Sequence, residues 1–493
     1  MQTLIILCRD NQFMSCLPRL LFCTLVLACQ TLRAQGLPAE VEAALAHANV
    51  PRDAVSVLVV DAQTPAAARL SHRANVPMNP ASVMKLVTTY AALDLLGPGF
   101  TWSTPVFVEG SVKNGTLHGN LIIQGQGDPK LVVERLWLLL RRVQGLGISN
   151  IAGDIVLDRS AFETVAQDPA EFDGEPLRPY NAAPDALLLN YKSVLMTFVP
   201  DAANNQARVQ FEPPLAGVQM QATVPLSKGA CNDYRGALKA DFSDPTRIRF
   251  GAHYALSCGE KVWPVAYVDP ASYSVRAVAG MWRELGGKLT GKVREGKVPA
   301  DLKPAFELTS PALAEVIRDI NKYSNNVMAQ QVFLTLGRQA GNPSATASGV
   351  GTMASARDVV QTWWKERIAR GDSAAALDLP VLDNGSGLSR DGRISAQALA
   401  LMLQTAYRSP LMSELMSSLP INGVDGTLRR SLSKSPGSAH LKTGSLRAVS
   451  AVAGFVDAAS GHRYVLVIIV NHANASAAHP AIDALIDWTV KDQ

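Results

Sequence analysis

The chain has 493 residues, a formal net charge of +4, and is 47% hydrophobic but only 18% charged. That is apolar material for a large core and two or three domains, and too little charge for long disordered spans. No basic cluster interleaved with aromatic residues occurs, so the composition excludes an obvious nucleic-acid partner.

Residues 1–34 read as a secretory signal peptide. Arg19 precedes the apolar run "LLFCTLVLA" at 20–28, too short to span a bilayer, and Val26 and Ala28 form a small-residue cleavage pattern. Met14 is an alternative start, and cleavage after Ala34 is a second cleavage reading. These place the mature chain in the periplasm. A lipoprotein signal with Cys29 acylated is the alternative, against which Leu27 is unusual two positions before the cysteine. Cys8, Cys16, Cys23 and Cys29 lie in or beside the signal, which leaves Cys231 and Cys258 for the mature chain. In an oxidising compartment such a pair forms a disulfide; two buried thiols are the other reading. The eight histidines are scattered, His440 reads as structural, and no metal or cofactor spacing is present.

Residues 37–48 have an amphipathic helical pattern, and 54–64 read as a strand with a hairpin partner after it. Pro80 fits the first turn of a helix that runs through Leu96 and stops at Gly97-Pro98. From about 101 to 297 the texture changes to short strand-like runs and turns, with one helix in "LVVERLWLLLRRVQGLGI". Helical patterns return at 310–337, with further amphipathic helices in "SARDVVQTWWKERIA" and "SAQALALMLQTAYRS"; Trp363 and Trp364 read as core. Three strands, at "SAHLKTGSL", "AVSAVAGFVDA" and "RYVLVIIVNHA", precede a closing helix. The first hairpin and these strands are expected to share one antiparallel sheet, making a discontinuous domain split around a long insertion.

The chemistry starts at "NPASVMKLVTTYAAL". Ser82 and Lys85 stand three positions apart, so a helical turn makes them neighbours. Near a helix N-terminus a serine oxygen can develop negative charge, and a neutral amine can take its proton. The amine is neutral only if burial or a second cation lowers its pKa. "YSNN" supplies Ser324 and Asn326, and "LKTGSL" supplies Lys442, Thr443, Gly444 and Ser445. Acyl transfer has a task for each. Ser324 passes a proton between Lys85 and a leaving amine, Asn326 holds the substrate amide, and Lys442 is the second cation. Thr443 binds a substrate carboxylate, Gly444 clears room for an extended substrate, and the N–H groups of Ser82 and Ser445 form an oxyanion hole.

Together the S-x-x-K, S-x-N and K-T-G motifs resemble the serine penicillin-recognising enzymes. More narrowly, the chain resembles the class C low-molecular-mass penicillin-binding proteins, the D-alanyl-D-alanine carboxypeptidases/endopeptidases. Three stretches carry this: the 238 residues between Lys85 and Ser324, "GQGDPKL" at 125–131, and "DNGSGLSR" at 383–390, where Asn384 departs from the family's D-G-S-G-L-S-R. "GVDGTLRR" also looks familial. The resemblance implies a mixed α/β (α+β) fold: a transpeptidase-like domain, its antiparallel sheet flanked by helices, at 37–104 and 298–493. It implies two inserted strand-rich domains, one at 105–182 and 263–297 and a nested one at 183–262. The implied substrates are peptidoglycan stem peptides and cross-links, with β-lactams as covalent inhibitors at Ser82 and no cofactor. Arg390 is a candidate contact for a substrate carboxylate, Arg447 for an extra carboxylate on a diamino acid, and Tyr180 and Glu175 for an approach from the insertion. A β-lactamase and a non-catalytic wall-binding scaffold are the alternative readings, and a homodimer stays open.

Overall fold

The computed structural model describes residues 36–64, 68–164, 167–339, 349–370 and 379–492; the expected signal peptide and Cys29 lie outside them. One sheet joins the two ends of the chain. Its five strands run, in order, Ala439–Leu446, Val449–Asp457, Arg463–Asn471, Val55–Asp61 and Leu70–His72, all antiparallel. Val57 sits opposite Ile468 in the pairing that closes this loop of some 400 residues.

The central strands "VSVLVVD" and "RYVLVIIVN" are apolar at nearly every position because both faces of the sheet are covered. Alternation sends Leu58, Val465, Val467 and Ile469 into one core, and Val57, Val59, Leu466 and Ile468 into the other. The first core is roofed by the helices Lys85–Leu96, Leu313–Tyr323, Asn326–Gln339, Met353–Arg367 and Ala396–Tyr407. Trp363 and Trp364 belong to it; Trp363 packs edge-on against Tyr90 and donates to Asp94 Oδ2 at 2.8 Å. The second core lies under Ala39–His47 and His479–Val490.

The insertion departs and returns side by side, since Ser103–Lys113 pairs with Phe306–Thr309 in a seven-stranded sheet. A five-stranded and a three-stranded sheet, built from residues 193–266, follow within it. One hydrophobic core runs through these sheets, from Leu139 and Leu157 to Phe198, Tyr254, Tyr273 and Trp282. A disulfide joins Cys231 to Cys258 there. The "GQGDPKL" stretch lies at the junction with the helical roof: Lys130 pairs with Asp319, and burial pushes the Asp128 carboxyl up to about 6. Among the described residues no helix is long and apolar enough to cross a membrane.

The bridge closes a segment of 27 residues. A Cys231→Ser, Cys258→Ser double variant is expected to lose about 3 kcal/mol of unfolding free energy through chain entropy. A urea midpoint equal to that of the oxidised wild type would contradict this.

Candidate active site

The turn that presents Ser82 is strained and bolted down. Ala81, fully buried, has φ 48°, a left-handed conformation that costs an L-residue roughly 1–2 kcal/mol. Its surroundings hold it there. The Ala81 N–H donates to Asn79 Oδ1 at 2.9 Å. Asn79 and Asn471 exchange two bonds, each 2.9 Å, and Asn79 Nδ2 reaches Ser389 O at 2.9 Å. The helix expected to begin at Pro80 is therefore split: a 3₁₀ turn, Ala81–Met84, carries Ser82, and the α-helix Lys85–Leu96 follows. The Ser82 N–H sits in the first turn, where no helical carbonyl can take it.

Lys85 is completely buried, and its Nζ has three neighbours: Ser82 Oγ at 2.8 Å, Asn326 Oδ1 at 2.6 Å and the Ser386 carbonyl at 2.6 Å. Burial, and then the charge of Lys442, push this amine well below its ordinary pKa. A neutral amine has two N–H donors and one lone pair. The two carbonyl oxygens can only accept, so they consume the donors, and the lone pair is left for the Ser82 hydroxyl proton. The geometry is that of a base on its nucleophile.

Ser324 ends the helix Leu313–Tyr323 in a left-handed conformation, φ 56°, which swings its hydroxyl across the cleft. Lys442 Nζ donates to Ser324 Oγ at 2.9 Å and to the Thr443 carbonyl at 2.7 Å. Lys442 is also wholly buried, which lowers its pKa to about 7. The hydrogen-bond partner of the Ser324 hydroxyl is thus Lys442. Asn326 spends its amide on Lys85 and, through Nδ2, on the Tyr180 carbonyl at 3.2 Å.

The strand Ala439–Leu446 forms the sheet's edge. Its Ala439 and Leu441 N–H groups bond outside the sheet, to Asn422 Oδ1 and Pro420 O. Strand alternation then turns the N–H groups of Thr443 and Ser445 outward too, toward Ser82. Thr443 Oγ1 pairs with Thr427 Oγ1 at 2.7 Å. Gly444 meets a constraint nearer than substrate: a β-carbon there would lie 2.3 Å from the Pro80 carbonyl. The strand can back onto the nucleophile turn only without a side chain.

The family model described as D-Ala-D-Ala carboxypeptidase 3 (S13) matches residues 37–492. The chain belongs to that family. It is a peptidase of the serine type. The D-alanyl-D-alanine carboxypeptidase DacB of Haemophilus influenzae is 26% identical over 399 residues, 79% of this chain and 80% of the relative. A D-alanyl-D-alanine carboxypeptidase of Actinomadura sp. is 27% identical over 429 residues, 83% of this chain and 76% of the relative. In fold, the crystal structure of penicillin binding protein 4 from Haemophilus influenzae superposes with a TM-score of 0.68 at 22% identity, covering 91% of this chain and 99% of that one. A predatory endopeptidase from Bdellovibrio bacteriovorus superposes at 0.51 and 16% identity, covering 88% and 93%.

In this member of the D-Ala-D-Ala carboxypeptidase 3 family, a cleft of about 620 Å³ opens on one side of Ser82, lined by Phe172, Asp173, Tyr180, Arg390 and Arg447 among others. The Arg390 guanidinium stacks on Phe172 at 4.5 Å and donates to the Arg447 carbonyl at 3.3 Å. Glu175, expected near the cleft, pairs instead with Arg178, and the acid that lines it is Asp173. Burial raises the Asp173 pKa, but bonds from the Tyr180 hydroxyl, Asn181 and the Glu175 N–H outweigh this and hold it low. His440 is half-buried, its Nδ1 has no partner among the described residues, and burial lowers its pKa.

Sequence reasoning missed Asn79 and Asn471, which work as a pair 392 positions apart, and the Ser386 carbonyl, which no side chain announces. It also missed Asp425. That carboxylate accepts from Lys322 Nζ at 2.6 Å and from the Ile421 N–H at 2.8 Å, tying the helix that ends at Ser324 to the turn that holds Thr443. Asp425 in "GVDGTL" was the only signal.

Gly444→Ala is expected to lower Ser82 acylation at least tenfold, because the strand must retreat from the nucleophile turn; circular dichroism should stay native. Acylation by a fluorescent penicillin at the wild-type rate would show that the contact is not limiting.

Proposed function

We propose that this protein is a periplasmic D-Ala-D-Ala carboxypeptidase/endopeptidase of peptidoglycan stem peptides, acting through an acyl-enzyme on Ser82 and acylated there by β-lactams. The observation that carries the reading is the buried Lys85 amine, 2.8 Å from Ser82 Oγ and held by two carbonyl acceptors, which leaves the Ser82 hydroxyl within reach of its lone pair once the amine is neutral. Lys85 takes the Ser82 proton as Oγ attacks the carbonyl of the penultimate D-Ala. The oxyanion meets the N–H groups of Ser82 and Ser445, each such donor typically worth about 10²–10³ in rate. The peptide C–N bond breaks, and the leaving nitrogen takes a proton from Ser324, which is resupplied by Lys442. Water then attacks the ester and passes one proton through Ser324 to Lys442, while Lys85 returns the proton it took to the departing Ser82 Oγ, so the acyl group leaves as the free acid and both amines are reset. Thr443 receives the leaving carboxylate, while Arg390 and Arg447 suit a carboxylate on the acyl-donor peptide and Asp173 its amine.

Relatives named D-alanyl-D-alanine carboxypeptidases support the substrate class. Ser82→Ala is expected to lose D-Ala release from pentapeptide muropeptides and labelling by fluorescent penicillin, and Lys85→Ala nearly so, with the fold intact by circular dichroism. Mass spectrometry of the muropeptides reads the result, and D-Ala release by Ser82→Ala at the wild-type rate would refute the assignment. A penicillin adduct that turns over within seconds would move the protein to the β-lactamases. No label, with sedimentation on wall sacculi, would make it a scaffold.

The Lys442 amine carries a sign that can be checked. Its pKa falls from 10.5 when exposed to about 7 in the fold, so between those values the unfolded chain binds more protons. Folding stability then rises with pH across that window, and the full cost of burying the charge stands below pH 7. Lys442→Met is therefore expected to raise the thermal midpoint at pH 6, with a smaller gain at pH 10, while it cuts acylation. A midpoint shift independent of pH would show that Lys442 titrates normally.

A further inference from the structure

Ser324 and Lys442 belong to different walls of the cleft. The hydroxyl stands at the end of the helix Leu313–Tyr323, and the amine is on the edge strand Ala439–Leu446. The bond between them is 2.9 Å long. One hydrogen bond to a hydroxyl is too weak to fix two walls against each other, and this one is remade each time Ser324 gives up its proton. The separation of the walls is therefore set elsewhere.

The turn 425–427 spans the gap. Asp425 faces the helix: the buried Lys322 Nζ donates to its Oδ1 at 2.8 Å and its Oδ2 at 2.6 Å. Gly426, at φ 56°, backs onto the same lysine, since a β-carbon there would stand 2.7 Å from the Lys322 carbonyl. Thr427 faces the strand, its Oγ1 2.7 Å from Thr443 Oγ1. Lys322 is two positions before Ser324, and Thr443 is the neighbour of Lys442. The contacts thus close a ring that runs from Ser324 to Lys442, along the strand to Thr443, across to Thr427, back along the turn to Asp425, and across to Lys322. The turn is anchored at its base. Asp425 Oδ1 accepts from the Ile421 N–H at 2.8 Å, the Pro420 carbonyl accepts from the Leu441 N–H at 2.9 Å, and the Asn422 N–H donates to the Ala439 carbonyl at 3.0 Å. Residues 420–422 therefore follow the edge strand and cannot drift from it independently. Lys322 and Asp425 stand outside the lining of the cleft on both sides of Ser82.

Resting on the peptidase reading above, we infer that Lys322 and Asp425 are positioning residues, whose ion pair sets the distance between the Ser324 hydroxyl and the Lys442 amine and so the delivery of a proton to the leaving nitrogen. The pair itself gives up no proton. The Ser82 Oγ–acyl bond forms as the C–N bond breaks, the nitrogen takes its proton from Ser324, and Lys442 replaces it. Burial raises the Asp425 pKa, but bonds from Lys322 and the Ile421 N–H outweigh this and hold it low. The carboxylate is therefore already ionised where Lys442 titrates.

The test uses Asp425→Asn, Lys322→Met and the double variant. Each single change leaves a charge without its partner and is expected to lower the thermal midpoint. The double change removes both charges and is expected to recover most of that loss, since an ion pair replaced as a whole is often close to neutral for stability. Activity should not recover with it. Acylation of the folded double variant by fluorescent penicillin is expected to stay at least tenfold below wild type, and kcat for D-Ala release from pentapeptide muropeptides should fall with KM little changed. The pH profile is the second readout. Burial lowers the Lys442 pKa to about 7, so the wild-type rate should fall as pH rises through that value and the amine ceases to donate. In the double variant water reaches the amine, and this alkaline limb should move to higher pH. Activity that returns with stability in the double variant, or a loss of rate with the limb unmoved, makes the pair purely structural and overturns the positioning role alone. A wild-type protein that neither takes penicillin nor releases D-Ala overturns the peptidase reading and the positioning role with it.

Discussion

The candidate site depends on an amine held wholly inside the fold, where burial and the charge of Lys442 push its pKa well down. Among the described residues Lys85 has no carboxylate partner; its neighbours are a hydroxyl, a side-chain amide oxygen and a main-chain carbonyl. A buried ammonium without a counter-ion is costly, and burial therefore favours the form without the proton. Lys442 is buried in the same manner, among a hydroxyl and a carbonyl. Two lysines hidden from water weaken the fold, and each contacts a serine hydroxyl. The distribution of strain agrees: Ala81 and Ser324 hold left-handed conformations at the two hydroxyl-bearing turns.

Hiding those amines takes contributions from distant parts of the chain. The loop that carries Ser386 folds under Lys85 through two glycines at positive φ. A β-carbon on Gly387 would come within 2.0 Å of the Ala81 carbonyl, and one on Gly385 within 2.5 Å of the Phe333 ring. The same loop gives its Gly385 carbonyl to Thr88 at 2.6 Å. The insertion takes part as well, since the Tyr180 carbonyl fixes the amide of Asn326 and Phe172 supports Arg390. Its sheets share a core remote from Ser82, yet one irregular segment returns from them to wall the cleft.

The cleft is asymmetric about Ser82. The arm under the insertion carries two guanidinium groups and a carboxylate held low by hydrogen bonds. The opposite arm grades from hydroxyls to leucines to one arginine.

Much of this was legible in the residues. Ser82 and Lys85 are neighbours on any helical turn, and alternating and continuous apolar runs give the terminal strands and the sheet that unites them. The helix stops near Gly97-Pro98, the tryptophan pair in the core, and the three motifs in order follow from local chemistry of the same kind. What the residues alone determined was which groups were present and which near neighbours they had along the chain. Only the tertiary structure decided the state of those groups. Protonation depends on burial and on acceptors brought from 241 and 301 positions away, and a main-chain carbonyl such as that of Ser386 has no signature in a side-chain alphabet. The depth of the groove, the exchange of Glu175 for Asp173 and the Asn79–Asn471 bond belong to the same class, because each is a relation between segments that no local period encodes.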